Sequence, residues 1–428
     1  MNLSRLSKGR LSFFMRNRLM TVFIFILLFL LIDYYFFQGI LVVSKNWSRL
    51  WKSVSRYGFW VPTALCVLAL LWWMFDDPYR YSANFRNWII TGIIATYFSK
   101  VVGILFLFVD DLQRGVRWIV SQFQSKPSSL PGEAISRSEF LSKAALVASA
   151  VPFTAFTWGV ISGAHDYRIR KVAIKLPNLP KSFDGLTIGQ ISDIHSGSFW
   201  NKTAVKGGIE MLLKQKPDLI FFTGDLVNNE TKEVNGFIDV FNKVRAPLGV
   251  FSITGNHDYG DYKPWKSEQE KQQNFNDLVQ AHRLLGYDLM LNENRIITQG
   301  GEKLALIGVE NWGTRFSKHG DLEKAYKGSE EASLRLLLSH DPTHWDAQVR
   351  PAFKDIDVMF AGHTHGTQFG VKIGDYTWTP AQYAYKQWGG LYQEDNQYLY
   401  VNRGFGYIGY PGRVGMPPEI TIFELKRA

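Results

Sequence analysis

Cysteine is almost absent, with Cys66 the only one in 428 residues. No disulfide can close within the chain, and neither a thiolate metal site nor thiol catalysis is expected. No internal repeat and no long low-complexity tract is found, which sets aside solenoid and compositionally biased architectures. Motifs for binding DNA or RNA are missing too, although the net charge is +10. Many of the cations flank apolar runs instead: Arg5, Lys8, Arg10, Arg16 and Arg18 precede the first, and Lys45, Arg49, Lys52 and Arg56 follow it. Headgroup contact and membrane topology account for them, and no nucleic-acid partner is expected.

Charge is scarce along four stretches. Leu19–Val43 carries a single charged residue, Asp33, and is long and apolar enough to cross a bilayer. Gly58–Phe75 and Trp88–Val109 read the same way, and Phe140–Ala164 is a fourth, richer in small residues. Trp47, Trp51, Trp60, Trp72, Trp73 and Trp88 sit near the ends of these runs, where an interfacial aromatic belt belongs. A polar loop, Gln122–Ser138, separates the third run from the fourth. The expected organisation is a membrane region over 1–164 with about four helices, a basic linker and first strand over 165–185, and a soluble domain over 186–428.

The soluble part alternates short apolar runs with polar helical stretches, which signals a layered α/β architecture. "LTIGQIS" leads into "DIH", "DLIFF" into "TGD", "GVFSI" into "TGNHD", "LRLLL" into "SHD" and "DVMFA" into "GHTHG". Lys202–Gln215 and Gln269–Leu285 read as helices between them. Ligand sites in open α/β sheets form at the carboxyl ends of strands. These strand ends carry Asp193, His195, Asp225, Asn256, His257, Asp258, His340, Asp341, His363 and His365. His165, His282, His319 and His344 fall outside them and read as surface or linker residues. Carboxylate, amide oxygen and imidazole together suit manganese, iron, zinc or cobalt. The donors are too many for one ion, and two ions bridged by one carboxylate would use them all.

With "DIH", "GDLVNN", "GNHD", "SHD" and "GHTHG" in that order, the chain resembles the calcineurin-like metallophosphoesterases from Leu186 to about Leu425. It is most similar to a bacterial, membrane-associated branch, through the tail "YLYVNRGFGYIGYPGRVGMPPEITIFEL". One departure is Thr367, where that branch usually has a second glycine; a small change of loop shape is expected, without loss of metal. The resemblance implies a layered β-sandwich flanked by helices, and two divalent transition-metal ions (manganese, zinc or iron). It implies that Asp193, His195 and His365 hold one ion, that Asn256, His340 and His363 hold the other, and that Asp225 bridges. It gives His257 a catalytic role, protonating the leaving alkoxide or stabilising phosphoryl charge. Asp258 would then orient that imidazole, or else cap the loop. Arg413 in the tail is expected to bind a substrate phosphate, or else to lie on the surface.

Tyr376–Tyr392 is dense in aromatics without clean periodicity, and is expected as an apolar loop at the mouth of the site, facing the bilayer. The expected activity is hydrolysis of a phosphomonoester, phosphodiester or pyrophosphate bond by a multi-pass enzyme of the cell membrane, with a lipid-linked substrate. A tethered enzyme for soluble phosphoesters and a non-catalytic scaffold are the alternatives. Ser136–Ala150 resembles a twin-arginine export signal with Ser138 in place of the second arginine. That segment, with Arg114, Arg117, Lys126, Arg137 and Lys143 before the fourth run, favours an extracytoplasmic catalytic domain. The equally basic N-terminus opposes this; the export-like segment is given the greater weight.

Overall fold

The computed structural model describes residues 3–75, 83–123, 137–374 and 376–428. The chain divides into two compact units, Met1–Thr157 and Trp158–Ala428. Lys126 and most of the polar loop before the fourth run lie outside the described residues, as do the side chains of Arg5, Lys8, Arg10, Arg16 and Arg18.

The first unit holds α1 (Leu3–Val43), α2 (Arg49–Phe75), α3 (Ala83–Phe123) and most of α4 (Glu139–Ile161). All four are long and apolar enough to cross a membrane. Their apolar side chains are largely exposed, as expected of surfaces that meet lipid rather than water. Polar groups are gathered inside. Asp33 is fully buried and pairs with Lys100 of α3, while Thr63 Oγ1 (2.8 Å) and Tyr97 Oη (2.9 Å) donate to its other oxygen. Towards one end of the bundle Asp111 collects Tyr35 (2.6 Å), Arg114 (2.9 Å) and Arg137 (2.8 Å). The arginine of the export-like segment is thus half of an ion pair between α3 and the start of α4.

The second unit is a two-sheet sandwich. Its strands are β1 (Arg168–Leu176), β2 (Thr187–Ile191), β3 (Leu219–Thr223), β4 (Val250–Ile253), β5 (Asp288–Leu289), β6 (Glu293–Gln299) and β7 (Glu302–Gly308), then β8 (Leu334–Leu338), β9 (Val358–Ala361), β10 (Val371–Ile373), β11 (Tyr376–Trp378), β12 (Gly390–Glu394), β13 (Gln397–Val401) and β14 (Glu419–Arg427). One sheet runs β1-β14-β2-β3-β4-β5, the other β12-β13-β9-β8-β7-β6, and β10-β11 is a separate hairpin. The inner faces meet through Ile188, Leu219, Phe221 and Ile253 from one sheet and Leu304, Leu336, Val358 and Phe360 from the other. Helices cover the outer faces. This explains why "LIFFT" and "VMFA" are apolar at successive positions: β3 and β9 are buried on both sides.

Two of the covering helices have the ends their sequence dictates. In α5 (Lys202–Lys214) the Asn201 side chain accepts the Ala204 N–H at 3.1 Å. Helix Glu268–Leu285 starts at a capping Ser267 and stops at Gly286 in the left-handed region. The five motif strands and both helices lie where the pattern places them. The hairpin β6–β7 lies outside that pattern; Gly300 and Gly301, both at positive φ, form its turn and are its signal in the sequence.

Candidate metal centre

Parallel pairing aligns the carboxyl ends of β2, β3 and β4 in one sheet, and of β8 and β9 in the other. The chain turns sharply at each end. Asp193, His195, Asp225, His363 and His365 all have positive φ, between 48° and 74°. Such a backbone costs a non-glycine residue on the order of 1 kcal/mol or more, and strain of this kind gathers at functional sites. Two glycines make the close approach possible. A Cβ on Gly362 would meet Ser192 Oγ and Asp193 Oδ2, and one on Gly255 would meet Asp225 Oδ1.

The ligand-type side chains form two groups. Asp193, His195 and His365 present donor atoms within 4.8 Å of one another, as do Asp225, His340 and His363. Asp225 connects them. The His257 backbone N–H holds its Oδ1 at 2.9 Å, while Oδ2 lies 3.5 Å from His195 Nε2 and 3.2 Å from His340 Nε2. Asn256 donates its amide nitrogen to Tyr262 Oη at 2.8 Å, and its buried Oδ1 has no hydrogen-bond partner among the described residues.

Imidazole nitrogens face one another here. His195 Nε2 is 3.0 Å from His365 Nε2, and His363 Nδ1 is 3.3 Å from His340 Nε2. His340 gives its Nδ1–H to the Thr223 carbonyl (2.7 Å), which aims Nε2 inward. Burial pulls the His195 imidazole down to about 3 and His363 to about 4, keeping both neutral, the form that binds metal. Burial likewise pushes Asp193 up to about 6. His340 differs: against its burial, the Asp225 carboxylate raises it to about 10, a proton that a bound cation would displace. Inward carboxylates, neutral imidazoles and an unpartnered amide oxygen fit divalent transition metals.

His257 stands beside the ligands, not among them. Its ring centroid is 5.0 Å from that of His195, and its Nδ1 lies 2.9 Å from the Asn228 carbonyl. That carbonyl accepts the Nδ1–H and leaves Nε2 open. Asp258 therefore does not orient His257. Its carboxylate accepts the backbone N–H groups of Asp225, Leu226 and Gly255 at 2.9 Å and of Val227 at 3.3 Å, binding the β3 turn to the β4 turn. The loop-capping alternative describes it.

Arg413 is corrected as well. It is 1% exposed, so neither a surface nor a phosphate-facing residue. Its guanidinium donates to the carbonyls of Gly406 (2.9 Å), Met416 (3.2 Å) and Arg403 (2.8 Å), and lies 3.1 Å from His365 Nδ1. It braces the tail loop behind His365. Thr367 keeps the left-handed φ of 52° that a glycine would suit, with its hydroxyl 3.0 Å from Thr379 Oγ1. His282 and His344 are fully buried, not surface residues. Asp341 gives Oδ1 to the Thr343 N–H at 2.8 Å. The backbone carbonyls of Asn228 and Thr223, which orient two imidazoles, carry no side-chain signal a sequence could show.

Residues 16–164 match the family described as "Probable Calcineurin-like phosphoesterase, transmembrane domain", and residues 186–367 match "Calcineurin-like phosphoesterase". The chain is 29% identical over 266 residues to the metallophosphoesterase YkuE of Bacillus subtilis, spanning 61% of this chain and 86% of that one. It is 25% identical over 339 residues to a transmembrane protein with metallophosphoesterase domain of Danio rerio, covering 77% of this chain and 71% of that one. Among solved structures it is similar to a dimetal phosphatase from Danio rerio, at a TM-score of 0.28 and 11% identity, over 52% of this chain and 88% of the other. Two matched segments, and relatives in bacteria and animals named as metallophosphoesterases, place this membrane protein in the calcineurin-like metallophosphoesterase family.

Proposed function

We propose that the second unit hydrolyses a phosphoester or pyrophosphate bond with two divalent transition-metal ions, manganese, zinc or iron. Asp193, His195 and His365 would hold one ion, and Asn256, His340 and His363 the other. The observation that carries this reading is Asp225 Oδ2, a single oxygen within 3.5 Å of ligand nitrogens from both groups. When bound, the ions would acidify a shared water and neutralise phosphoryl charge. The chain's own residues supply the rest. The Asn228 carbonyl keeps His257 upright, so that Nε2 can deliver a proton to the leaving oxygen. Asp258 holds the β3 and β4 turns in register, which fixes Asp225 against His257. No ligand position of the family pattern is empty, which disfavours a non-catalytic scaffold.

The substrate reading is a lipid-linked phosphoester. Support comes from the membrane unit and from the hairpin that follows the ligand turn. Val371 pairs with Trp378 and Ile373 with Tyr376, so these four share one face of β10–β11. Val371, Ile373 and Tyr376 are 45%, 72% and 61% exposed, and Tyr383 is 76% exposed. Trp388 serves the fold instead: it is half-buried, and the Arg403 guanidinium lies 5.2 Å from its ring centre. The test incubates metal-loaded protein with lipid-linked and soluble phosphoesters and identifies products by mass spectrometry. Ile373→Ser or Tyr376→Ala is expected to raise KM for the lipid substrate alone, while Trp388→Ala lowers the melting temperature. Equal losses on both substrate types from the hairpin changes would support the tethered enzyme for soluble esters.

The catalytic unit is read as extracytoplasmic on the export-like segment and the basic residues before α4. Four spans return the chain to its starting side, so this reading requires the N-terminus outside as well. Impermeant labelling of a cysteine placed at the exposed Ile373 in intact cells checks it; protection of that thiol places the unit inside.

A further inference from the structure

A strap runs from Thr379 to Tyr392, between the hairpin and β12, and it is fastened to the ligand turn at two points. Thr379 Oγ1 lies 2.7 Å from the Gly366 carbonyl, and Thr364 Oγ1 donates to the Trp388 carbonyl at 2.6 Å. Between these fastenings Tyr385 reaches a ligand. Its hydroxyl is 2.8 Å from His363 Nε2, with the rings perpendicular at 83°. The other nitrogen of His363, Nδ1, faces His340 and the ion position. An imidazole that gives Nδ1 to an ion carries its proton on Nε2. His363 is therefore the donor and the phenol oxygen the acceptor.

A second acceptor waits beside the same proton. Asp341 Oδ2 is buried and has no hydrogen-bond partner among the described residues, and it lies 3.7 Å from His363 Nε2. The other Asp341 oxygen is committed to the Thr343 N–H. A buried carboxylate oxygen without a partner is costly, so its retention within reach of a ligand's N–H needs a reason. The two acceptors differ in kind. A carboxylate makes an imidazole a more basic ligand than a neutral phenol does, and outer partners of this sort change metal affinity about 10–100-fold.

We propose that Tyr385 is a positioning residue for His363 and that Asp341 is its alternate. With the strap seated, the phenol orients His363 and leaves its ion the more electrophilic. Where the phenol is lost, the Nε2–H turns to Asp341 Oδ2 and the ion is retained. This inference rests on the two-ion reading, which binding to the unmodified protein tests first.

The experiment titrates manganese and zinc into full-length, metal-stripped protein by calorimetry, for Tyr385→Phe, Asp341→Asn and the pair. Asparagine keeps the bond to Thr343 and replaces Oδ2 by an amide that cannot accept. Each single change is expected to leave the second ion's affinity within about threefold, because the other acceptor takes over. The double change is expected to weaken that ion about 10–100-fold and to spare the first. If Asp341→Asn also loses the first ion, Asp341→Glu on the Tyr385→Phe background replaces it, and tight binding of the second ion is then expected. A Tyr385→Phe protein as weak as the double variant would overturn the alternate acceptor, and an unaffected double variant would overturn both roles. Fewer than two ions in the unmodified protein would instead sink the two-ion reading.

Discussion

At the scale of single residues, the centre depends on a few atoms with no substitute. Asp225 Oδ2 lies within 3.5 Å of ligand nitrogens from both groups. Asp225→Asn is expected to weaken both ions by at least about 100-fold, more than the loss of an outer partner costs. Elemental analysis after dialysis checks this; one ion retained at full affinity would refute the bridge. His257 lies outside both groups, so His257→Gln is expected to keep two ions and slow turnover about 100-fold or more. The loss should shrink for a nitrophenyl ester, whose leaving group needs no proton. Equal loss on good and poor leaving groups would assign His257 to charge stabilisation. Asp258 and Arg413 teach the complementary lesson. Both lie in the right motif or tail, yet their polar atoms are turned to the backbone.

Elements bring a different dependence, through histidines that do no chemistry. His282, on the helix Glu268–Leu285, is buried against β4 with Nδ1 3.0 Å from Ser252 Oγ. Burial pulls it down to about 3. The folded value lies below the unfolded one of about 6.5, so the stability is present above that pH and is lost as pH falls towards 3. At pH 5 the loss is about 2 kcal/mol. His282→Asn, which keeps a polar partner for Ser252 without a titrating ring, should flatten the fall in stability between pH 7 and pH 5 by that amount. Denaturant melts at the two pH values measure it, and unchanged slopes would mean that His282 is not neutral in the fold. His344, pulled down to about 4 chiefly by burial, adds in the same direction.

Across the whole molecule, each unit has its own interior and its own weak point. In the membrane unit that point is Asp33, held by Lys100, Thr63 and Tyr97 from two other helices. Removing one partner of a buried ion pair costs about 3–5 kcal/mol. Lys100→Met is accordingly expected to lower the thermal transition of the membrane unit in detergent. Replacing Asp33 and Lys100 together by apolar residues should restore much of the loss. A chelator is expected to destabilise the other unit, where bound ions would offset the strain of the ligand turns. A Lys100→Met protein that melts like the unmodified one would show that water reaches the pair.

Much of this protein follows from the sequence alone. Four apolar runs long enough for a bilayer need no tertiary information, because span length is set by the membrane. Nor do the motif strands, because burial on both faces demands uninterrupted apolar residues such as those of β3 and β9. The residue types at the strand ends already named the chemistry, since metals select donors by element and charge. Tertiary structure alone decided what each polar group faces. Asp258, Asp341 and Arg413 read as site residues, but only the packing of β3 on β4, and of the tail loop behind His365, shows where their donors and acceptors go. His282 and His344 are buried, and each has a serine for a partner, Ser252 at 30 residues' separation and Ser339 at five. Tyr385 was one aromatic among many until the strap set its hydroxyl beside His363. Hydrogen bonds between segments depend on direction and on tenths of an ångström, and no pattern along one chain encodes either.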